Sequence, residues 1–322
     1  MVNAQFQKEM GWLLKTISSI DWESESFPLY QDLLAIPFFV LFFPLIRLIL
    51  DRFIFEGIAK RLIFGKVHQK LDFETGVNRK RINKFKESAW KCVYYSSAEF
   101  FAIYVTIGEP WFTNTRSFWL GPDEDQVWPN LKMKFKLKAL YMYAAGFYVY
   151  SIFALVFWET RRSDFMVSMV HHLATVFLLV MSYIVRLSRV GSIILALHEG
   201  TDVFLEVGKM SKYSGYQRIA NVSFVMFVLS WLILRLICFP FGILWSTSYE
   251  VVNVLHEKSG YGSVPWVQYS VCNCLLVCLL ICHIYWWRIM FRMLTKQIQS
   301  HGQISDDVRS DSEGEDEDDH ED

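Results

Sequence analysis

Histidine and carboxylate side chains recur within two neighbouring apolar segments of the chain. The pair His171 and His172 lies in the first segment, and the second contains His198, Asp202 and Glu206. Burying a polar group in apolar surroundings costs free energy unless the group is hydrogen-bonded, and burying a charge costs far more. These residue types are also the ones that general acid–base catalysis uses most. The two segments are therefore where the sequence places its candidate chemistry.

Helical spacing puts the acids of the second segment beside its histidine. His198, Asp202 and Glu206 follow one another at intervals of four residues, and Lys209 continues the same stripe. Side chains four residues apart are neighbours on a helix. An acid one turn from a histidine can hold one ring nitrogen and raise the basicity of the other, as a general base requires. The adjacent histidines of the first segment point about 100° apart, so we expect only one of them to face the acids squarely.

Several reaction classes do not fit this set of residues. A membrane di-iron oxygenase would need many closely spaced histidines, whereas most of the others here are scattered, among them His68, His256, His283 and His301. A single metal ion held by His171, His198 and Asp202 is conceivable, but the spacing does not favour it. The sequence contains neither a glycine-rich phosphate loop nor a nucleophile-elbow motif.

Imidazole and carboxylate chemistry on a lipid is the class that remains. A histidine can deprotonate an attacking amine or hydroxyl, or can itself attack a thioester, so acyl transfer is the reaction we expect. The alternative without catalysis is that the histidines pack between helices with hydrogen-bonded partners. That alternative becomes costly for three histidines and three acids on facing helices, because each buried polar group adds its own desolvation penalty.

Seven long apolar runs predict helices that cross a membrane. About 20 mostly apolar residues span the hydrocarbon core as a helix, whereas barrel strands would alternate over segments of roughly ten residues. Charged residues interrupt the second and fifth runs, so six or eight spans are alternatives. The predicted fold is an all-α, polytopic membrane helical bundle with spans near 30–50, 89–108, 138–158, 166–185, 191–208, 220–245 and 265–291.

The charges divide between a basic body and an acidic tail. Residues 306–322 hold 11 acidic residues and one arginine, so the rest of the chain carries +9 within a total of −1. The basic residues flank apolar runs, which argues against a nucleic-acid partner and predicts that the side holding most of them, and the tail with it, is cytosolic. We predict that the tail is disordered. Ser310 and Ser312, each with an acid three residues later, are its predicted phosphorylation sites.

The stretch from His171 to Tyr213 resembles the signature of the longevity-assurance family, the ceramide synthases with a TLC domain. Its parts SRVGS and DVFLEVGKMSKY are most similar to plant members. The resemblance implies three regions, which are an N-terminal segment with a signal-anchor span and a basic linker, a TLC domain, and an acidic tail (1–79, 80–294 and 295–322).

Two features depart from the family pattern. The family usually has H-D-x-x-D, whereas this chain has Glu199 in the second position, between His198 and Asp202. The change keeps the charge and moves it by one methylene group. Residues 51–88 are also too few for the homeobox-like insert of many animal members, which fits the plant or fungal type.

The resemblance implies a multi-pass enzyme of the endoplasmic-reticulum membrane. Its reaction joins the acyl group of a fatty acyl-CoA to the amine of a sphingoid base, with acyl-CoA as co-substrate and with neither cofactor nor metal. A homodimer or heterodimer is a further implication. The implied catalytic residues are His171, which would accept the acyl group or the proton, and His172, His198, Glu199 and Asp202. The implied substrate-binding residues are Ser182, Tyr183, Arg189, Glu206 and Lys209.

Two other functions are weighed beside this one. The first is a non-catalytic TLC protein that binds or senses lipid or associates with the translocon, although such relatives typically lack the histidine pair and the acids. The second is an enzyme that acylates a hydroxyl lipid from the same thioester donor. The acyl-chain length and the choice between a dihydroxy and a trihydroxy base stay open.

Overall fold

Seven long helices and one small sheet make up most of the described chain. The structure, a computed structural model, describes residues 19–65, 76–121, 126–258 and 265–299. Strands β1 (Glu25–Ser26) and β2 (Met133–Lys134) pair antiparallel. The long helices of these ranges are α1 (Tyr30–Phe64), α2 (Gly76–Thr106), α3 (Phe135–Phe157), α4 (Phe165–Ile184), α5 (Ser188–Tyr213), α6 (Gln217–Lys258) and α7 (Trp266–Gln299).

Each of the seven predicted spans coincides with one of these helices, so the all-α membrane bundle is confirmed. The bounds differ most at the start of the chain, because α1 continues to Phe64 instead of ending near residue 50 and α2 begins at Gly76. Among the described residues, five helices are long and apolar enough to cross a membrane, namely α1, α3, α4, α6 and α7. The chain is a multi-pass membrane protein, and its acidic tail beyond residue 299 lies outside the described residues.

Helices α2 and α5, which are too polar to count among the five candidate membrane spans, pack against each other. Helix α2 runs along α5, and α5 also lies against α6. Helix α1 packs on α3, while α7 contacts both α4 and α6. Charged side chains within a membrane normally face the protein interior. The pairing of α2 with α5 meets that requirement, and it carries the acids of α5 into the bundle, where Glu199 and Glu206 are buried.

A close approach between α1 and α3 depends on a glycine. A Cβ added at Gly146 would lie 2.3 Å from Cβ of Phe39 and 3.4 Å from the carbonyl oxygen of Ile36. The glycine therefore lets the two helices come together around the buried ring of Phe43, which contacts Phe147 at 5.3 Å between ring centroids.

Replacing Gly146 by alanine is expected to destabilise the fold by about 1–3 kcal/mol, the usual cost of overpacking. The clash is with a Cβ atom and backbone, which cannot swing aside as a flexible side chain can. Thermal unfolding of the detergent-purified protein would measure the loss. Gly57→Ala in α1 is the matched control, because nothing lies within 4 Å of an added Cβ there. Equal melting temperatures for both variants would contradict the prediction.

One end of the bundle, here called the loop end, is closed by residues 107–121 and 126–134 and by the α4–α5 turn. The indole nitrogen of Trp128 donates to the carbonyl oxygen of Val185 at 2.8 Å. The guanidinium of Arg189 donates to the carbonyl oxygens of Ser117 at 2.9 Å and Leu120 at 2.7 Å. The long loop is thereby fixed to the start of α5. The opposite end, here called the basic end, contains the α3–α4 turn, the α5–α6 turn and the start of α2.

An ion cluster at the loop end ties the N-terminal segment to the start of α3. Nζ of Lys134 lies 2.9 Å from Glu23 and 2.8 Å from Glu109, and Nζ of Lys136 lies 2.7 Å and 2.9 Å from the same two acids. Hydrogen bonds from Lys136 and Lys134 hold the pKa of the Glu23 carboxyl below its usual range. These lysines therefore have acidic partners at the end of the bundle where the loop-charge rule expects few cations.

Candidate active site

A cavity of about 210 Å³ extends from the basic end into the bundle and reaches the histidine pair. Cationic side chains lie at its outer part, and aromatic and aliphatic side chains form most of its walls. Its polar lining includes Lys91, Glu159, Arg162, Lys209, Lys212, Glu206, Asp202, Arg235, Tyr148, His171 and His172, and its apolar lining includes Leu155, Phe165, Phe204, Leu205, Phe224, Phe227, Trp231, Trp286, Ile289, Met290 and Met293.

The histidine pair forms part of the cavity wall and keeps two ring nitrogens unpaired. The centroids of the His171 and His172 rings lie 5.7 Å apart, with the ring planes 59° from parallel. In each ring Nδ1 is buried and has no hydrogen-bond partner among the described residues. Buried polar atoms are normally hydrogen-bonded, so an unpartnered one calls for an explanation. Two unpartnered ring nitrogens beside one cavity therefore mark the pair as a candidate functional group.

On one side, His172 lies beside a tyrosine that is itself held by a carboxyl group. The rings of Tyr148 and His172 lie 5.7 Å apart, and the Tyr148 hydroxyl donates to Oε1 of Glu199 at 3.0 Å. Glu199 is 1% exposed, and its Oε2 has no partner within the described part of the chain. Glu199 is therefore connected to the cavity through Tyr148, which lines it.

On the other side, His171 lies against α7. Its ring meets the Trp286 ring nearly edge-on at 5.3 Å, and the indole nitrogen of Trp286 donates to Oδ2 of Asp164 at 2.9 Å. The ring of His283 lies 6.2 Å from that of His171. Asp164 comes directly before α4, so the Trp286 bond fixes α7 against the start of the helix that carries the histidine pair.

His198 sits behind the cavity wall, in contact with His283. The Nε2 atoms of these two rings lie 3.0 Å apart, and both side chains are buried. Nδ1 of His198 lies 2.6 Å from the carbonyl oxygen of Ile194, one turn earlier. The predicted approach of α5 to the pair on α4 therefore runs through His283 of α7, which contacts both His171 and His198.

Asp202 pairs with an arginine and not with a histidine. The guanidinium of Arg235 donates to Oδ2 of Asp202 at 2.8 Å and to the carbonyl oxygen of His198 at 2.7 Å. It also lies over the Trp231 ring, 4.0 Å from the centroid. Arg235 belongs to a π-helical stretch of α6, Trp231–Leu244, and wider turns of this kind are frequent at functional sites. The expected bond between His198 and Asp202 is replaced by this ion pair.

The cations at the basic end are held by a network of acids. Lys91 lies 3.1 Å from Glu87 and 2.7 Å from Glu159, and Arg162 lies 3.3 Å from Glu87. On α5, Lys209 lies 2.7 Å from Glu206, one turn away. The network connects the middle of α2 with the α3–α4 turn and holds the positive groups around the cavity in place.

Comparison with known proteins shows the family to which the chain belongs. A family model described as the TLC domain matches residues 84–292. Ceramide synthase 1 LOH3 of Arabidopsis thaliana is 62% identical over 264 residues, which is 82% of this chain and 85% of the relative. This chain belongs to the TLC-domain family of the ceramide synthases. Ceramide synthase LOH1 of the same plant is 57% identical over 267 residues, 82% of this chain and 85% of the relative. Ceramide synthase hyl-1 of Caenorhabditis elegans is 35% identical over 180 residues, 54% of this chain and 46% of the relative.

The resemblance to ceramide synthases of plants is thereby confirmed, and the structure divides its signature between two places. Glu206 and Lys209 line the cavity. The other three predicted substrate-binding residues lie at the loop end, where Ser182 bonds to Tyr141, the Tyr183 hydroxyl donates to Asp32, and Arg189 holds the loop. Ser182 and Tyr183 thus join helices to one another, Arg189 joins a helix to the loop, and all three lie outside the main cavity.

Two site residues were not predicted from the sequence. The prediction that His283 is one of the scattered histidines is wrong, because its ring contacts those of His171 and His198. Arg235 received no role, although it holds Asp202. Both are ionisable residues within apolar spans, so the rule that selected His171 also applies to them.

The remaining site predictions concern metals and the tail. Among residues 19–65, 76–121, 126–258 and 265–299, no group of three or more His, Cys, Asp and Glu side chains is arranged to hold a metal ion. Ser310 and Ser312 lie outside the described residues, so phosphorylation there stays a prediction.

Removing the Tyr148 hydroxyl is expected to lower turnover about tenfold, the equivalent of one hydrogen bond of about 1.4 kcal/mol. Without that bond the ring beside His172 loses its anchor on Glu199. Tyr148→Phe and Glu199→Leu should each have this effect, and their combination should be no worse than either, because both remove the same interaction. Initial rates of acyl transfer measure it. Additive losses in the double variant would show that the two side chains act separately.

Proposed function

We propose that this chain is a sphingoid-base N-acyltransferase that uses fatty acyl-CoA and makes ceramide by imidazole-dependent acyl transfer. The observation that carries the proposal is the His171–His172 pair, with unpartnered Nδ1 atoms, in the wall of a cavity with a cationic outer part and apolar walls. A polyanionic donor with a long acyl chain needs both kinds of lining. The relatives named ceramide synthases support the same reaction.

The reaction is balanced by moving one proton from the amine to sulfur. In a covalent route, a ring nitrogen of His171 adds to the thioester carbonyl carbon, the C–S bond breaks, and CoA leaves as the thiolate. The amine then adds to the acyl carbon, the bond to imidazole breaks, and the amine proton passes to the thiolate. In a general-base route, His171 takes the amine proton during direct attack and delivers it to the same sulfur. Both routes place a transient positive charge on the imidazole ring.

The positions of the other charges fit a donor that enters at the basic end. Phosphate groups of CoA would meet Arg162, Lys209 and Lys212, which line the outer part of the cavity. Arginine and lysine are the usual partners of phosphate. The basic end would then face the cytosol, in agreement with the loop-charge rule, in a protein of the endoplasmic-reticulum membrane with a cytosolic tail. A dimer is an additional expectation from the family.

The test is acyl transfer by microsomes that express the chain, using labelled acyl-CoA of several lengths. Sphinganine and phytosphingosine are offered as acceptors, and N-acetylsphinganine serves as the control because its amine is blocked while its hydroxyls remain. We expect labelled N-acyl product from the free bases and none from the blocked base. Product from the blocked base would indicate O-acylation. No product from any acceptor would overturn the proposal and favour a non-catalytic, lipid-binding TLC protein.

A further inference from the structure

The contact with one carbonyl group determines which ring nitrogens of His198 and His283 carry protons. The carbonyl oxygen of Ile194 can only accept, so Nδ1 of His198, 2.6 Å away, carries a proton. In a neutral His198 ring Nε2 is then the acceptor. Nε2 of His283, 3.0 Å from it, must be the donor. In a neutral His283 ring this leaves Nδ1 without a proton, as a lone pair.

The lone pair on Nδ1 of His283 accepts no hydrogen bond from the described residues. Nδ1 of His283 is buried and has no hydrogen-bond partner among the described residues, and the side chain is 0% exposed. The ring does not line the cavity but lies behind it, 6.2 Å from the ring of His171. Trp231 fixes the backbone of α7 here, because its indole nitrogen donates to the His283 carbonyl oxygen at 3.3 Å.

The side chains around His198 and His283 are compatible with this assignment of donor and acceptor. Phe239 packs edge-on against both rings, at 5.4 Å from His198 and 5.3 Å from His283. Arg235 lies close by, but its charge is directed to Asp202 and to the His198 carbonyl oxygen, and not to a ring nitrogen. Neither Phe239 nor Arg235 therefore forms a hydrogen bond with a ring nitrogen of the pair that would compete with the contact between the two rings.

From this geometry we propose that His283 is a positioning residue for acyl transfer: with His198 it presents a neutral, electron-rich ring behind His171 and stabilises the positive charge that forms there. The inference rests on the proposed function, because that charge arises only during acyl transfer. His283 acts through His171 and touches neither substrate, so its loss should affect the chemical step and not binding. A protonated or apolar side chain in its place would not provide the same stabilisation.

The experiment compares His283→Leu with His283→Gln. Leucine removes both nitrogens, whereas glutamine keeps an N–H donor for His198 and an oxygen acceptor in place of the lone pair. We expect kcat to fall about 100-fold in the leucine variant, the size seen when a catalytic group is misplaced, with KM for acyl-CoA unchanged. Glutamine should restore a large part of kcat. Ile284→Ala is the matched control, because this neighbour of His283 on α7 is 45% exposed and does not line the cavity, and it should retain most activity.

The outcomes separate this inference from the proposed function. An inactive wild type overturns the proposed function itself. An active wild type with an equally active His283→Leu, or with a glutamine variant no better than leucine, overturns the role of His283 alone. A leucine variant that loses activity only through a raised KM, or only together with a lowered melting temperature that glutamine shares, also overturns it. Melting curves of all variants in detergent accompany the kinetics.

Discussion

Replacing His171 by alanine is expected to lower N-acylation turnover at least about 100-fold, the lower bound for losing a general acid–base group. Stability should change little by comparison. Nδ1 of His171 has no hydrogen-bond partner among the described residues, so its removal leaves no polar atom orphaned. A catalytic role for His171 requires that its replacement lowers turnover and leaves the stability of the fold largely unchanged. Turnover at saturating acyl-CoA, together with thermal unfolding in detergent, measures both quantities.

The control for this variant is the preceding residue of the same helix. Val170 is 44% exposed on the outside of α4 and does not line the cavity, so Val170→Ala should retain full turnover. His172→Ala tests the second ring of the pair in the same assay. A folded His171→Ala protein with turnover within about tenfold of the wild type would contradict a role as acid–base or nucleophilic group. An acyl adduct on the peptide that contains His171, trapped without sphingoid base, would identify the covalent route.

Replacing Arg235 by methionine is expected to reduce the free energy of unfolding by about 3 kcal/mol. The guanidinium is 3% exposed, and its partner Asp202 would be left as an unpaired carboxylate in the interior. Removing one member of a buried pair costs more than the pair contributes, because the remaining charge keeps its desolvation penalty. The melting temperature in detergent should fall by roughly 4 °C, because the unfolding entropy of a chain of 322 residues is large.

A double variant separates the pair's effect on stability from its effect on chemistry. In Arg235→Met with Asp202→Leu, both charges are gone, so most of the lost stability should return. Turnover should not return if Asp202 contributes to the reaction at the cavity wall. A single Arg235→Met variant that melts with the wild type would show that the ion pair is not needed for the fold.

The histidines and acids of α4 and α5 could be predicted because polar residues in apolar spans are rare and costly. The same reasoning reaches Arg235 in LILRLICF and His283 in LLICHIYWW. Helical spacing, however, relates residues of one helix, and neither Arg235 nor His283 has a charged residue or a histidine one turn away. Only the packing of α7 against α4 and α6 shows that they belong to the site.

Other parts of the site have no signal in the sequence. Tyr148 is one of several aromatic residues in α3, and nothing in its spacing distinguishes the hydroxyl that reaches Glu199. The signature that includes Ser182 and Arg189 identified the family, but a family signature combines residues of catalysis with residues of architecture. Whether a signature residue lies in the cavity wall or at the loop end depends on which groups the fold brings next to it. For Arg189 one of these groups is the backbone carbonyl of Leu120, 69 residues earlier in the chain.

The contact between His198 and His283 joins residues 85 positions apart, and this separation has a consequence for biosynthesis. Helices are made and inserted in chain order, so α4, α5 and α6 enter the membrane before α7 exists. Before α7 is inserted, Asp202 can already pair with Arg235 of α6. His198, however, lacks its contact with His283, and His171 lacks its contact with Trp286. The candidate active site is therefore completed only when α7, the last helix of the described residues, has been inserted. A chain that ends before residue 283 should be inactive however well its earlier helices insert.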